Sequence, residues 1–240
     1  MIKIAFKKKR KSTKTSSFCR RFFGEEWTLL STRIPGGGRR DCAYASLGDD
    51  RHFLFGGYNP CRCSPVVEYN STSQTFHTHR PLPEPRSCSA STAIDDRRLL
   101  VVGGETSFPE TSCLVYDTRR KEWSTDWPHL NIARAEHACV CTTNNKVYVV
   151  GGYNSRELDS VEELDLSRRT PTWKILPQRL SKGRSGCCAI AHPMMSNHII
   201  VVGGRNVQDG YLSSCEIISL EEGGQTRMLP SMMTPREDHT

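Results

Sequence analysis

Three cysteine groups and a scatter of histidines are the residues of this sequence with types and spacings that could do chemistry. Cys61-Arg62-Cys63, Cys139-Val140-Cys141 and Cys187-Cys188 bring thiols close enough to share a metal ion or to be oxidised, and eight histidines could add ligands or a general base. The spacings argue against most of this. Structural zinc sites pair ligands across roughly two to four residues and match them with a second such pair, and none of the three groups does both. On a strand Cys139 and Cys141 would point to one face, which leaves chelation geometrically open, but packed core positions are the stronger reading. Cys61 and Cys63 differ, because they lie in a loop between Pro60 and Pro65, where a redox-labile or metal-trapping role is the functional alternative. His77 and His79 share one strand face and His137 stands near an arginine, yet no metal set or acid–base pair assembles from these spacings. The expectation is no catalytic residue, no metal and no cofactor.

The elements that must carry these residues repeat. Phe53-Leu54-Phe55-Gly56-Gly57, Leu99-Leu100-Val101-Val102-Gly103-Gly104, Val147-Tyr148-Val149-Val150-Gly151-Gly152 and Ile199-Ile200-Val201-Val202-Gly203-Gly204 are four copies of one phrase. Each is a buried β-branched or aromatic strand followed by a sharp turn. Their first glycines recur about every 50 residues, a period that signals a radial repeat of short strands. The pairs follow strands without opening a helix, so they are not phosphate or dinucleotide loops.

Each unit reads as a four-stranded meander. An arginine opens it (Arg40, Arg86, Arg134, Arg184), a small-residue strand follows, and an Asn/Asp turn leads into the Gly-Gly strand. A third strand ends near Tyr69, Tyr116, Leu164 or Ile218, and a fourth opens with Phe76, Trp123 or Trp173. Unit four has no aromatic there, only Thr226-Arg227-Met228-Leu229. No unit can bury both faces alone, so units must stack side by side. Sheets fanning from an axis are crowded inside and wide apart outside. Ala, Ser and Cys in the first strands against Tyr, Phe and Trp in the outer ones fit that taper, and account for most of the eleven cysteines as small apolar filler.

Charge separates a tail from the domain. Residues 1–24 carry nine Lys/Arg and no acid, and without them 24 basic residues face 26 acidic ones. The net charge of +7 therefore belongs to the tail, and no nucleic-acid surface is expected on the domain. Lys7-Lys8-Lys9-Arg10-Lys11 reads as a nuclear-import signal, a solvated tail or part of a mitochondrial presequence, in a segment expected to be disordered. No stretch is long and apolar enough for a membrane span. With no secretory signal, the odd cysteine count suggests free thiols in a reducing compartment, cytoplasmic or nuclear.

The ordered combination of arginine, apolar run with Gly-Gly, Tyr-Asp and tryptophan resembles the kelch repeat over about residues 27–240. The resemblance implies an all-β, kelch-type β-propeller. Its four complete four-stranded blades span about 40–85, 86–133, 134–183 and 184–235, with partial blades at both ends of residues 25–240. A fifth unit starts at 236, and Trp27-Thr28-Leu29-Leu30 reads as a fourth strand lacking its first three. Kelch propellers usually have more blades, so the ring is expected to be incomplete and its unfinished edges to favour self-association.

In a meander the loop entering strand one and the loop after strand two emerge on the same face. That face would gather Arg40, Arg86, Arg134 and Arg184 with the post-glycine loops, including Tyr58, Asn59, Tyr153, Asn154, Arg205 and Asn206. Arg205 resembles the position with which kelch substrate adaptors grip acidic peptide motifs, through Arg–carboxylate forks. Each blade-start arginine has a structural alternative, hydrogen bonding to loop carbonyls. The expected function is protein–protein interaction, by resemblance as the substrate-recognition propeller of a ubiquitin-ligase adaptor. The alternative is a kelch-like enzyme, a metal-dependent oxidase or a sugar epimerase.

Overall fold

A computed structural model describes residues 33–239 in full and, ahead of them, the backbone of β1 (Ile4–Phe6), β2 (Phe18–Phe23) and β3 (Glu26–Arg33). These three pair in the order β1-β2-β3. Two of the strands thus lie in the stretch expected to be disordered, and the Lys7–Lys11 run falls outside the described residues. The Trp27 strand, expected to lack partners, pairs with β2 from Phe22↔Trp27 to Arg20↔Leu29. Phe18, Phe22 and Phe23 give β2 the aromatic content of a strand, a signal that the surrounding lysines and arginines obscure.

Four meander sheets follow. Blade 1 contains β4 (Ala43–Leu47), β5 (Arg51–Phe55), β6 (Val66–Asn70) and β7 (Thr75–His79). Blade 2 contains β8 (Ala90–Ala93), β9 (Arg98–Val102), β10 (Cys113–Asp117) and β11 (Glu122–Ser124). Blade 3 contains β12 (Ala138–Thr142), β13 (Lys146–Val150), β14 (Ser160–Asp165) and β15 (Trp173–Arg179). Blade 4 runs β16 (Cys188–Ala191), β17 (His198–Val202), a loop hairpin β18 (Arg205–Asn206) and β19 (Gly210–Tyr211), then β20 (Cys215–Ser219) and β21 (Thr226–Leu229). Every pairing is antiparallel, and no helix occurs among the described residues.

The small-residue strands are the inner ones, β4 packing on β8, β8 on β12 and β12 on β16. Cores lie between blades. Alternate residues of each second strand serve opposite neighbours: Leu99 and Val101 pack with Phe53 and Phe55 of blade 1, whereas Leu100 and Val102 pack with Val147 and Val149 of blade 3. Blade 3 meets blade 4 through Tyr148, Val150, Ile199, Val201 and Ile218. A strand buried on both faces must be apolar throughout, which is why these runs do not alternate with polar residues. The contact series ends at β16, with no comparable packing of β16 on β4 among the described residues. On blade 4 Ile190, on the face turned away from blade 3, and Met228, on the outer strand, are half exposed.

The Gly-Gly pairs join neighbouring blades. Gly57, Gly104, Gly152 and Gly204 donate their N–H groups to the carbonyls of Arg86, Arg134, Arg184 and Arg236, at 2.7–2.9 Å. Gly103 shows why no side chain is tolerated: its φ is +54°, and a Cβ there would lie 2.6 Å from the Arg134 carbonyl oxygen. Nearer the axis a second series links Asp41, Cys88, Glu136, Gly186 and Asp238, the N–H of each of the last four donating to the carbonyl of the member before it in the series. All five have positive φ. They line the mouth of an axial cavity of about 120 Å³.

Candidate functional site

Three blade-start arginines are structural. Arg86, Arg134 and Arg184 are almost wholly buried, and each donates through Nη1 to the carbonyl of its own blade's first glycine: Gly103 at 3.1 Å, Gly151 at 2.8 Å and Gly203 at 3.0 Å. The backbone of the entry loop is thereby held to the end of the second strand. In blade 3 Arg134 Nη2 also meets Glu162 at 2.7 Å, a carboxylate that accepts from Asn131 N, Asn131 Nδ2 and Ile132 N as well. Arg184 pairs in the same way with Glu216, which holds Ser181 N at 2.8 Å. These arginines are unavailable to a partner, which corrects the expectation that they form a binding face.

The first blade needs a further correction. Arg86, Arg134 and Arg184 each stand four residues ahead of an inner strand's first residue (Ala90, Ala138, Cys188); four ahead of Ala43 is Arg39, not Arg40. Arg40 bridges Tyr58, as Ser87 bridges Glu105 and Ala135 bridges Tyr153. Its side chain is exposed, 4.8 Å over the Tyr58 ring and 3.5 Å from Asp41.

The post-glycine loops emerge on the blade-start face, since Tyr58, Glu105, Tyr153 and Arg205 bridge back to Arg40, Ser87, Ala135 and Ser185. They carry the exposed large apolar residues Phe108 (78%), Val207 (72%), Tyr211 (49%) and Tyr153 (38%). Arg205 is exposed beside them, while Arg62 pairs with Glu105 at 3.0 Å and Lys182 with Asp209 at 2.9 Å. Asn206 departs from the expectation: it is buried, with Nδ2 donating to Gly183 O at 2.6 Å and Oδ1 accepting from Gln208 N. Asn59 and Asn154 are partly buried and close their loops through backbone bonds to Cys61 and Arg156. Phe108, Val207 and Tyr211 were not anticipated; exposed apolar residues at the tips of tightly bonded loops were the available signal.

The cysteines pack rather than cluster. Cys113, Cys187 and Cys215 are buried, and burial pushes the Cys113 and Cys187 thiols up to about 12. Cys63 Sγ turns back onto the Cys61 and Asn59 carbonyls. No three metal-ligating side chains converge among the described residues. The two strand histidines diverge in role. His77 stays at the surface against Thr75, whereas His79 bridges blades, Nε2 to Glu68 at 2.7 Å and Nδ1 to Tyr116 Oη at 3.1 Å. Arg51 Nε donates to the same Glu68 at 2.6 Å.

Burial would raise the Glu68 pKa, but the hydrogen bonds from His79 and Arg51 and the Arg51 charge reverse that and hold it at about 2. A carboxylate depressed on folding adds stability above its unfolded pKa and loses it as pH falls through the folded value. The expected result is an acid-labile contribution of about 3 kcal/mol, lost progressively from about pH 4.5 towards pH 2. Denaturant unfolding as a function of pH checks it. The slope over that window should flatten in Glu68→Gln; an unchanged slope refutes the assignment.

Four meanders set around an axis, tied by Gly-Gly turns to buried arginines, define a β-propeller of repeat type. A family model described as Kelch motif matches residues 134–178. An F-box/kelch-repeat protein of Arabidopsis thaliana is 32% identical over 133 residues, covering 52% of this chain and 33% of that protein. Kelch-like protein 25 of Xenopus tropicalis is 27% identical over 53% of this chain and 21% of its own length. Kelch repeat and BTB domain-containing protein 1 of Ectromelia virus is 26% identical over 61% and 26%. The chain thus carries a kelch motif, and its repeats are similar to those of kelch-repeat proteins. It spans about a third or less of the length of these relatives. Among solved structures, one titled "Structure of YjhT" superposes with a TM-score of 0.73 at 16% identity, over 93% of this chain and 80% of that one, a likeness of fold.

Proposed function

We propose that this propeller is a protein-interaction module of the ubiquitin-ligase adaptor kind, binding rather than turning over a partner that carries an acidic peptide motif. The observation that carries the reading is the loop face. Phe108, Tyr153, Val207 and Tyr211 project from loops whose backbones are pinned to blade starts, with Arg40 and Arg205 exposed among them. Exposed aromatics on a rigid scaffold lose little entropy on binding, and guanidinium groups supply directional forks for carboxylates. The relatives named above as F-box and BTB kelch proteins support the adaptor class. Recognition by the post-glycine loops replaces the earlier expectation for Arg86, Arg134 and Arg184.

The test screens acidic peptides against the full chain and then against Phe108→Ala, Tyr153→Ala and Arg205→Glu. Each substitution lies at the surface, so unfolding midpoints should be unchanged while affinity drops at least about tenfold, the loss typical of an interface anchor. Peptides that bind all three variants as they bind the parent would refute the face. Light scattering on the same samples reads self-association through the exposed Ile190 face of blade 4. A uniform monomer at all concentrations counts against that part.

A further inference from the structure

The repeat makes one departure conspicuous. Arg39 occupies the blade-start position of Arg86, Arg134 and Arg184, yet none of its guanidinium nitrogens has a hydrogen-bond partner among the described residues, and all three are screened from solvent. Among the same residues the Gly56 carbonyl receives only Cys42 Sγ, at 3.3 Å, whereas the equivalent Gly103 carbonyl accepts both Ser89 Oγ and Arg86 Nη1 at 3.1 Å. The carboxylate is missing as well. Glu162 pairs with Val149 and Glu216 with Val201, two residues before the first glycine of their blades; the residue at that register in blade 1 is Val67, opposite Leu54. Arg86 lacks such a glutamate too, because Leu114 stands there, but it keeps its Gly103 carbonyl and lies 3.6 Å from Glu84. The thiol of Cys42 stands beside Arg39, and burial pushes it up to about 11, so it stays protonated and weakly accepting.

The cover over this group is a turn of glycines. Gly37 N donates to Ile34 O at 3.2 Å, closing a turn with Pro35 and Gly36 at its centre, and Gly36 and Gly37 both have positive φ. A Cβ on Gly36 would lie 3.6 Å from Arg39 Nη1, and one on Gly37 would lie 3.8 Å from Asn59 Nδ2. Arg40, the next residue, is exposed on the loop face. Pro-Gly-Gly-Gly is a segment able to swing without steric penalty.

We propose that Arg39 is an unfilled seat for a carboxylate supplied from outside blade 1, reached beneath the Ile34–Gly38 turn, the place that Glu162 and Glu216 fill within blades 3 and 4. The expected occupant is an acidic side chain of a bound protein. Its identity as part of a partner rests on the loop-face reading; the seat does not. A buried unpaired guanidinium is costly, and a carboxylate that completes it gains two charge-assisted bonds in fixed geometry.

The experiment titrates sodium acetate against the full chain at constant ionic strength, with sodium chloride and inorganic phosphate as comparison arms, following the unfolding midpoint and the Arg Nε–Hε NMR signals. Acetate should raise the midpoint saturably and move one arginine signal. An 11-fold excess of folded-state binding, reached at acetate ten times its Kd, corresponds to about 1.4 kcal/mol. Arg39→Met should abolish the response and, without acetate, be no less stable than the parent, since it removes an uncompensated charge. Val67→Glu should abolish it by filling the seat from within. A saturable response that persists in Arg39→Met, a response to phosphate alone, no response in the parent, or an Arg39→Met variant as destabilised as Arg134→Met would each overturn the proposal. Acetate requires no protein partner, so this can succeed where the peptide screen fails, and fail where it succeeds.

Discussion

Arg134→Met is expected to lower the unfolding free energy by about 3–5 kcal/mol, a large part of what a domain of this size has. The methionine fills a similar volume, so packing changes little. What changes is that Glu162, wholly buried, loses its charge partner while still holding Asn131 and Ile132 by their backbone N–H groups. The Gly151 and Ser160 carbonyls lose Nη1 at 2.8 and 3.3 Å in the same step. A control separates the pair's net worth from the cost of orphaning one member. Arg134→Met combined with Glu162→Leu removes both charges and should recover a substantial part of the loss, because two apolar groups in place of a buried ion pair are often nearly neutral. Recovery will be incomplete, since the loop N–H groups at 131 and 132 then lack their acceptor. Denaturant midpoints for the two single variants and the double variant close the cycle. If Arg134→Met alone costs under about 1 kcal/mol, the arginine does not hold the blade entry and the account of these residues fails.

The blades themselves were legible in the sequence because each strand's environment is uniform along its length. A strand packed on both faces must be apolar at every position, so the second strands stand out, and the positive-φ pair behind them can only be glycine. The arginine register was less legible at Arg39-Arg40, where two neighbours match the pattern. Counting four residues back from the inner strand settles it, but the inner strand's first residue is itself a small, weakly marked position. Glu162 and Glu216 could not be seen at all. In Val161-Glu162-Glu163-Leu164 the two glutamates look like solvent positions of a half-buried strand, whereas Glu162 is buried against Arg134 and Glu163 bonds Tyr148 Oη at 2.9 Å. Composition records charge but not the partner that makes burial tolerable. The role of Arg86, Arg134 and Arg184 was misread for a related reason: an arginine repeated in every blade serves what every blade needs, here a bond to the first glycine's carbonyl.

The outer strands show the same division between a repeated bond and a variable bulk, and they support a second large effect. Trp173→Ala is expected to cost about 3–5 kcal/mol, the usual penalty for removing a large buried aromatic. The indole lies in the core between blades 2 and 3 with Val115, Leu130, Val147 and Leu164, and its Nε1–H donates to Pro128 O at 3.1 Å, in the linker that leads into its own blade. Trp123 does the same to Arg80 O at 3.1 Å. Blade 4 has no aromatic at this register, where Thr226 faces Ile218 as Trp173 faces Leu164, yet Thr226 Oγ1 donates to Arg179 O at 2.6 Å. The hydrogen bond to the linker thus survives the loss of the ring, and the outer end of blade 4 is left with Met228 half exposed. Two further substitutions at 173 separate the contributions. Trp173→Phe keeps most of the apolar area but leaves the Pro128 carbonyl without its donor, a loss of about 1–3 kcal/mol. Trp173→Thr imports the blade 4 solution and should recover little of the alanine penalty, because one hydrogen bond is worth about 1 kcal/mol and the missing ring leaves a cavity between two blades. Urea midpoints followed by far-ultraviolet circular dichroism, which does not depend on the indole, give the order. Should threonine restore most of the loss, the linker bond and not the ring would be what fastens each blade to the one before it.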